Sequence, residues 1–152
     1  MIKLLCTNKL KSGPEFEMIK KLHLQIRWPL DILEFQSKKK LPHDITKDET
    51  DFFQKNTSDQ ATLIILDEHG KDIKSIAFAN MIQSELDHAQ KLCFIIGGAN
   101  GIAPQIKQKA TYSLSFGKAT WPHLLCRVML IEQIYRAQSI LNNHPYHREG
   151  SL

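Results

Sequence analysis

Short apolar runs alternate with longer amphipathic segments along this chain. Branched side chains dominate the apolar runs, as is typical of strands covered on both faces of a sheet. The apolar runs predict strands at residues 2–6, 61–67 and 92–96, and two short segments at 31–35 and 112–116 are further predicted strands. The amphipathic segments predict helices at about 15–25, 46–55, 75–89 and 122–141, with a further helix opening at Pro104. The alternation, without hairpin signals, predicts an α/β domain with a mostly parallel sheet and helices on both faces.

Details inside three of the predicted helices bear on what each helix packs against. Thr46 is the expected N-cap of the second helix, with Glu49 at the capping-box position. In the third helix, Phe78 falls off the apolar face. The last helix has an apolar stripe wider than one sheet contact requires, formed by Leu124, Leu125, Val128, Leu130, Ile131, Ile134 and Tyr135. This stripe fits a helix buried in its own sheet, and it also fits a helix that covers a partner subunit.

Composition narrows the class of protein. A length of 152 residues suits one domain. No apolar run approaches the roughly 18–20 residues that cross a bilayer, and no signal-peptide core follows Met1, so a cytoplasmic location without membrane attachment is expected. The three cysteines lack CxxC spacing and lie in apolar sequence, which indicates reduced core thiols. His144 and His147 have no cysteine or carboxylate cluster to complete a metal site, so no metal is predicted.

The formal net charge is +4 and the isoelectric point is near 9.0. This balance permits RNA binding without demonstrating it. The sharpest basic cluster is Lys38-Lys39-Lys40. A solvated loop explains this run at least as well as contact with phosphate does.

Two candidate ligand loops follow consecutive predicted strands. The first, IIGGANG, contains Gly97, Gly98 and Gly101, and the second runs from Gly117 to Trp121. Open α/β sheets bind small molecules at such strand ends. Glycines let a ligand approach the backbone, although a tight strand-to-helix turn also needs them. The first loop has neither a Walker A Lys-Ser/Thr nor G-x-G-x-x-G spacing, which favours a cofactor held by backbone amides and carbonyls.

Four segments carry a family resemblance: IIGGANG, YSLSFGKATWPH, LLCRVMLIEQIYRAQSIL and the ending NHPYH. They resemble the SPOUT-superfamily rRNA methyltransferases, most closely the small family that methylates N3 of a pseudouridine in 23S rRNA. The resemblance is dense over residues 62–148 and thins upstream. The family usually has a glycine after its first strand, where this chain has Asn8. The family's Glu-Gly pair in the second helix is Glu49-Thr50 here.

The resemblance implies one SPOUT methyltransferase domain over residues 1–152, with a C-terminal trefoil knot at roughly 62–141 and a tail at 142–152. It implies S-adenosylmethionine as the cofactor, rRNA within the large subunit or ribosome as the partner, a role in ribosome maturation, and a homodimer. Carried onto this sequence, the cofactor contacts fall on Leu66, Gly97, Phe116, Gly117, Lys118, Ala119, Thr120 and Trp121.

The implied reaction requires the weakly acidic N3 imide to lose its proton. A general base, or a positive group that stabilises the ring anion, contributes a typical ~10²–10⁴-fold. The resemblance raises His123, Arg127, Tyr146, His147 and Arg148 as catalytic candidates. Without it, His123 is interpreted as a structural histidine and the tail as a disordered end. Which group takes the proton stays open. Glu132, Gln133 and Arg136 fit an exposed polar face, and Arg136 fits a contact with phosphate equally well; none of the three is included in the predicted site.

Two other functions fit parts of the pattern. A non-catalytic RNA-binding or ribosome-assembly protein on the same fold would need no cofactor, so cofactor affinity separates it from a methyltransferase. A flavodoxin-like protein would show flavin absorbance after purification, but the absent phosphate motif disfavours it.

Overall fold

The computed structural model describes residues 1–88 and 90–148. Strands and helices alternate along this part of the chain as β1 (Ile2–Thr7), α1 (Pro14–His23), β2 (Leu30–Phe35), α2 (Pro42–Asn56), β3 (Ala61–Asp72), α3 (Ser75–Asp87), β4 (Lys91–Ile96), α4 (Pro104–Lys107), β5 (Tyr112–Ser115) and α5 (His123–Leu141). Among these helices, none is both long and apolar enough to span a bilayer.

The five strands form one sheet in the order β2-β1-β4-β3-β5, and each neighbouring pair is parallel. The predicted α/β architecture is therefore confirmed, and the sheet is parallel throughout the described residues. Because every strand points the same way, the loops that follow the strands gather at one edge of the sheet. We call this edge, formed by the loops after β1 to β5, the carboxyl edge.

Helices cover both faces of the sheet. Alternate residues of a strand point to opposite faces, so neighbours on β1 enter different cores. Leu4 packs into the cluster that contains Ile131 of α5, under α1, α3 and α5. Leu5 packs into the second cluster with Phe53 of α2 and Ile106 of α4. Both leucines are fully buried, and the sheet is consequently covered on each side, as the apolar strand runs predict.

The start of α2 corrects the capping prediction. The helix begins at Pro42, and its N-cap residue Leu41 has an extended backbone and forms no side-chain cap. Proline suits this position because its fixed φ matches the first helical turn. Thr46 lies inside the helix, where its hydroxyl donates to the Pro42 carbonyl at 3.0 Å. Glu49 is therefore free of any capping role, and its side chain is buried.

Phe78 corrects the predicted face of α3. Its side chain is 1% exposed, and its ring lies 6.0 Å from that of Phe94 in β4, measured between centroids. Because α3 packs against both the sheet and α5, its buried surface is wider than one stripe. A residue off the predicted apolar face therefore still enters the core.

A buried guanidinium joins α5 to the ends of β1 and β2. Arg127 is 1% exposed and forms an ion pair with Glu34 of β2. It also donates to the backbone carbonyls of Thr7, at 3.0 Å, and Asn8, at 2.7 Å. These bonds offset much of the cost of burying the charge, while Nε of Arg127 has no hydrogen-bond partner among the described residues. They also connect segments more than 90 residues apart in the chain.

We expect Arg127→Met to destabilise the fold by roughly 2–4 kcal/mol, because Glu34 loses its partner and two carbonyls lose their donor. Urea denaturation at neutral pH measures the loss. The exposed Arg27 offers a matched control, and Arg27→Met should change the free energy of unfolding by less than about 0.5 kcal/mol. Equal effects of the two substitutions would show that the buried contact contributes little.

Candidate cofactor site and the cluster on the last helix

An irregular segment of β3 and the loops after β4 and β5 enclose a cavity of about 710 Å³ at the carboxyl edge. The strand runs on to Asp72, and its register against β5 shifts between Leu66 and Lys71, so the expected end of this strand at residue 67 is wrong. The strand order places β4, β3 and β5 side by side, so the irregular segment and the two loops meet. The start of α5 closes the remaining side. Of the eight residues predicted to contact the cofactor, the cavity is lined by Leu66, Gly97, Phe116, Gly117, Ala119, Thr120 and Trp121. Lys118 is exposed and does not line it.

Gly97 and Gly98 are required by packing within the protein. A Cβ at Gly97 would lie 2.7 Å from Cγ1 of Ile102. A Cβ at Gly98 would lie 2.9 Å from Oγ1 of Thr7 and 3.0 Å from Oε1 of Glu49. The expectation that these glycines make room for a ligand is therefore incomplete, since the loop's own contacts already exclude larger residues.

Gly101 and Gly117 are required by backbone conformation. Their φ angles are 72° and 98°, in the region that favours glycine. No atom lies within 4 Å of a Cβ added at either position. The loop after β5 is further held by Ser115, whose hydroxyl donates to the Gly117 carbonyl at 2.5 Å, and by Trp121, whose indole donates to the Phe116 carbonyl at 3.2 Å. This loop therefore has a defined shape before any ligand binds.

Polar contacts link the loops around the cavity. Lys107 of α4 forms an ion pair with Asp67 in the irregular segment of β3. Burial opposes ionisation of Asp67, yet hydrogen bonds from Lys107 and from the backbone of His69 hold the pKa of its carboxyl below the usual value. Thr120 donates to Glu68 at 3.1 Å, which joins this segment of β3 to the loop after β5. The cavity thus has the ion pair of Lys107 and Asp67 on one wall.

His123 lines the cavity and is held from behind by Asn8. The ring nitrogen Nε2 of His123 lies 3.1 Å from the amide nitrogen Nδ2 of Asn8. With the amide nitrogen as donor, Nε2 accepts, and the neutral ring carries its proton on Nδ1. Burial, with a smaller effect of the Arg127 charge, lowers the pKa of His123. At neutral pH, His123 is therefore a neutral side chain with an Nδ1–H donor.

The backbone conformation of Asn8 explains how the loop after β1 reaches the cavity. Its φ of 65° lies in the left-handed region, which asparagine tolerates better than most residues. The resembling family usually has glycine at this position, so the unusual backbone conformation fits that pattern. The side chain that asparagine adds is the one that contacts His123.

Buried polar atoms lie behind the loop after β4, which contains Gly98. Oγ1 of Thr7 and Oε2 of Glu49 are buried and have no hydrogen-bond partner among the described residues. Burial raises the pKa of Glu49. The position of Glu49 against Gly98 gives this carboxyl a role in shaping the loop, which a local capping pattern does not reveal.

The raised pKa of Glu49 predicts a pH-dependent effect of Glu49→Gln. The cost of burying ionised Glu49 is absent below the unfolded-state value of 4.5 and grows as pH rises through the folded-state pKa. Glu49→Gln should therefore stabilise the protein at pH 7 but not at pH 4, as urea denaturation would show. The exposed Glu17 is the control, and Glu17→Gln should lack this pH-dependent gain. A gain for Glu49→Gln that is equal at both pH values would contradict the assignment.

The described part of the tail packs on α5, which differs from the disordered end expected without the family resemblance. The ring of Tyr146 meets that of Tyr135 edge-on, with centroids 4.6 Å apart. The Tyr146 hydroxyl donates to Glu132 at 2.9 Å, and the Arg136 guanidinium lies 4.8 Å from the centroid of the Tyr146 ring. His147 lies 3.4 Å from Arg136, measured between Nδ1 and Nη1. Burial, and then Glu132, raise the pKa of Tyr146.

Glu132 and Arg136 are functional candidates that the sequence analysis left outside the predicted site, although it considered a phosphate contact for Arg136. They form an ion pair one helical turn apart, and they hold both Tyr146 and His147. The signal available in the sequence was their i, i+4 spacing. We call Glu132, Arg136, Tyr146 and His147 the tail cluster. Arg148, the last described residue, is exposed.

The structure does not bring all five catalytic candidates together. His123 lines the cavity, whereas Arg127 is absent from its lining and is occupied by Glu34 and the strand ends. Glu132 is nine residues beyond His123 on α5, which corresponds to about 14 Å along the helix axis. Within one chain, the tail cluster and the cavity are therefore separate.

In residues 1–88 and 90–148, no group of three or more His, Cys, Asp or Glu side chains is placed to hold a metal ion. Cys126 lines the cavity, and Cys6 and Cys93 are buried. Burial raises the pKa of Cys6 to about 12, which keeps that thiol protonated.

A family model described as a predicted SPOUT methyltransferase matches residues 1–147. The chain belongs to the SPOUT methyltransferase family. The relatives include two proteins named ribosomal RNA large subunit methyltransferase H. The one from Rhodospirillum centenum is 37% identical over 147 residues, covering 95% of this chain and 97% of the relative. The one from Cereibacter sphaeroides is 35% identical over 155 aligned positions, covering 97% and 98%.

Solved structures share the fold at low identity. A probable methylase family protein from Haemophilus influenzae Rd KW20 has a TM-score of 0.59 and 10% identity, covering 99% of this chain and 72% of that one. A methyltransferase from Legionella pneumophila, in complex with the bound cofactor SAM, has a TM-score of 0.50 and 13% identity, covering 90% and 66%. The predicted SPOUT family and the predicted α/β fold are confirmed, and the trefoil knot stays a prediction.

Proposed function

We propose that this chain is an S-adenosylmethionine-dependent methyltransferase that modifies N3 of a pseudouridine in 23S rRNA during ribosome maturation in the cytoplasm. The observation that carries the proposal is the match, over nearly the whole length of both chains, to relatives named ribosomal RNA large subunit methyltransferase H. The cavity at the carboxyl edge supports it, because most of the residues predicted to contact the cofactor line that one space.

The cavity suits S-adenosylmethionine in size and chemistry. Its volume of about 710 Å³ lies within the usual range for small-molecule sites. Leu66, Phe116 and Trp121 offer apolar surface for an adenine ring, and the glycine loops offer backbone donors and acceptors. When bound, S-adenosylmethionine supplies an activated methyl group on a sulfonium.

Different residues of this chain are suited to the other tasks of the proposed reaction, which are hydrogen bonding at the cavity, base stacking and stabilisation of the anion. His123, neutral and with a proton on Nδ1, is suited to donate a hydrogen bond at the cavity and is unsuited to act as a base while Asn8 occupies Nε2. Tyr146 offers a ring for stacking on a base. Arg148 offers positive charge that stabilises the pseudouridine anion as N3 loses its proton. Arg136, paired with Glu132, holds the ring of Tyr146 in place. Arg127 acts indirectly, by fixing the position of α5.

We also propose that the protein is a homodimer in which the tail cluster of one subunit meets the cofactor cavity of its partner. Two observations support this arrangement: the separation of cluster and cavity along α5, and an apolar groove of about 440 Å³ between α1, α3 and α5. Met18 and Met129 line the groove, and Met18 is 53% exposed. The family resemblance further supports a trefoil knot within residues 62–141.

Gly117→Ala should weaken S-adenosylmethionine binding roughly tenfold. A Cβ in left-handed backbone costs about 1–2 kcal/mol, so the free loop should relax to another conformation, and binding would have to restore the strained one. Isothermal titration calorimetry measures the affinity. Gly13→Ala is the control, since Gly13 has an extended φ of 164° and does not line the cavity. Wild-type affinity in a folded Gly117→Ala protein would remove this loop from the cofactor site.

Loss of the tail should abolish methyl transfer while sparing the cofactor site. A chain ending at Leu141 should bind S-adenosylmethionine within about threefold of wild type, yet methylate large ribosomal subunits at least ~10²-fold more slowly. Tyr146→Phe keeps the ring but removes the bond to Glu132, and it should have a smaller effect than truncation. A truncated protein that retains its rate would leave catalysis to the cavity residues.

Co-expression of the truncated chain with a Gly117→Val chain tests whether the site is shared. A mixed dimer would combine the intact cavity of one subunit with the intact tail of the other, so activity should partly return. No return of activity in confirmed mixed dimers would place cavity and tail function within one subunit.

A further inference from the structure

Two loops at the carboxyl edge take no part in the cofactor cavity. Residues 8–12 follow β1, and residues 36–41 follow β2. The strands are parallel neighbours in which Thr7 lies opposite Phe35. The backbone amide of Asn8 donates to the Phe35 carbonyl at 2.7 Å, so the loops leave the sheet side by side.

The two loops are rich in lysine and contain no acidic residue. Lys9 and Lys11 lie on the first loop, and Lys38, Lys39 and Lys40 lie on the second. All five are exposed, and none forms an ion pair with a residue that the structure describes. The lysine run in the sequence is therefore one half of a larger basic surface that the fold assembles.

Nearby carboxylates are already engaged elsewhere. Glu34 pairs with Arg127 and accepts from the backbone amide of Leu10 at 3.1 Å. Asp48 of α2 accepts from the hydroxyl of Ser37 at 2.6 Å. Neither carboxylate forms an ion pair with a lysine of the two loops.

The same bonds fix the loop backbones. Ser37, held by Asp48, accepts from the backbone amide of Lys39 at 3.1 Å, and Glu34 holds the first loop at Leu10. Anchored backbones with exposed ammonium groups present charge at defined positions. A merely solvated loop requires no such anchoring.

The basic surface adjoins the cavity. Asn8, the residue before Lys9, contacts His123, which lines the cavity. Lysine ammonium groups bind phosphate as point charges, independently of base sequence. We propose that Lys9, Lys11, Lys38, Lys39 and Lys40 bind the phosphate backbone of RNA and thereby orient a target nucleotide at the cavity. This proposal rests on the proposed rRNA substrate.

The test compares two triple variants of the full-length protein that carry the same net charge. Lys38→Ala/Lys39→Ala/Lys40→Ala neutralises part of the surface. Lys20→Ala/Lys55→Ala/Lys91→Ala removes exposed lysines near the opposite edge, from the ends of α1 and α2 and the start of β4. Binding of a fluorescently labelled single-stranded RNA is followed by anisotropy between roughly 50 and 200 mM salt. Calorimetry with S-adenosylmethionine checks that each variant is folded and keeps its cofactor site.

The first variant should bind RNA at least about tenfold more weakly, and its log–log salt dependence should be shallower by about 2, as expected for three lost phosphate contacts on a single strand. The control variant should stay within about twofold of wild type. Lys9→Ala/Lys11→Ala should weaken binding in the same direction. Equal affinities and slopes for the two triple variants would contradict the proposal that these lysines bind RNA phosphate. A wild-type protein without salt-dependent RNA binding would contradict it as well.

Methylation of large subunits separates this proposal from the proposed function. If the surface positions RNA, Lys38→Ala/Lys39→Ala/Lys40→Ala raises KM for the subunits and leaves kcat unchanged at saturation. If the wild-type protein binds RNA through these lysines but transfers no methyl group, the proposed function is contradicted and the proposed RNA contact stands. If the wild-type protein methylates and the triple variant has an unchanged KM, only the proposed RNA contact is contradicted.

Discussion

The buried guanidinium of Arg127 is the contact on which the carboxyl edge depends. It fixes the first turns of α5 against the ends of β1 and β2, and it binds the carbonyl of Asn8 directly. Asn8 is thereby held in a left-handed conformation from which its amide reaches His123. The N-terminal strands are therefore part of the site, although their residues are remote in sequence from the cofactor loops. With these bonds made, Arg127 does not line the cavity.

The cofactor loops obtain their shape from two different constraints. Gly97 and Gly98 are small because Ile102, Thr7 and Glu49 pack against them. Gly117 is instead required by a positive φ, with open space around it. Such preformed loops lower the ordering cost of binding, because the ligand meets backbone groups that are already in place. The division also explains why substitutions in the two loops should fail for different reasons.

Local sequence patterns were sufficient for the order of the elements and for most of the cavity. Apolar runs located the five strands, and parallel strands oblige their following loops to meet at one edge. The errors arose where a distant partner decides the role of a residue. Glu49 fits a capping box locally but packs against Gly98, and Phe78 enters the core because Phe94 lies beneath it. Arg127 shares a helical face with His123, yet Glu34 draws it away from the cavity. The tail seemed free because its partners, Glu132, Tyr135 and Arg136, looked like an exposed surface of α5.

The most direct test of the account is the chemical identity of the product. Large ribosomal subunits from cells that lack the modification would be incubated with the purified protein and S-adenosylmethionine. Their rRNA would then be digested to nucleosides and analysed by mass spectrometry. The account predicts one pseudouridine that gains a single methyl group on N3 of its base. No methyl transfer, or a methyl group found on a ribose or on another base, would contradict it.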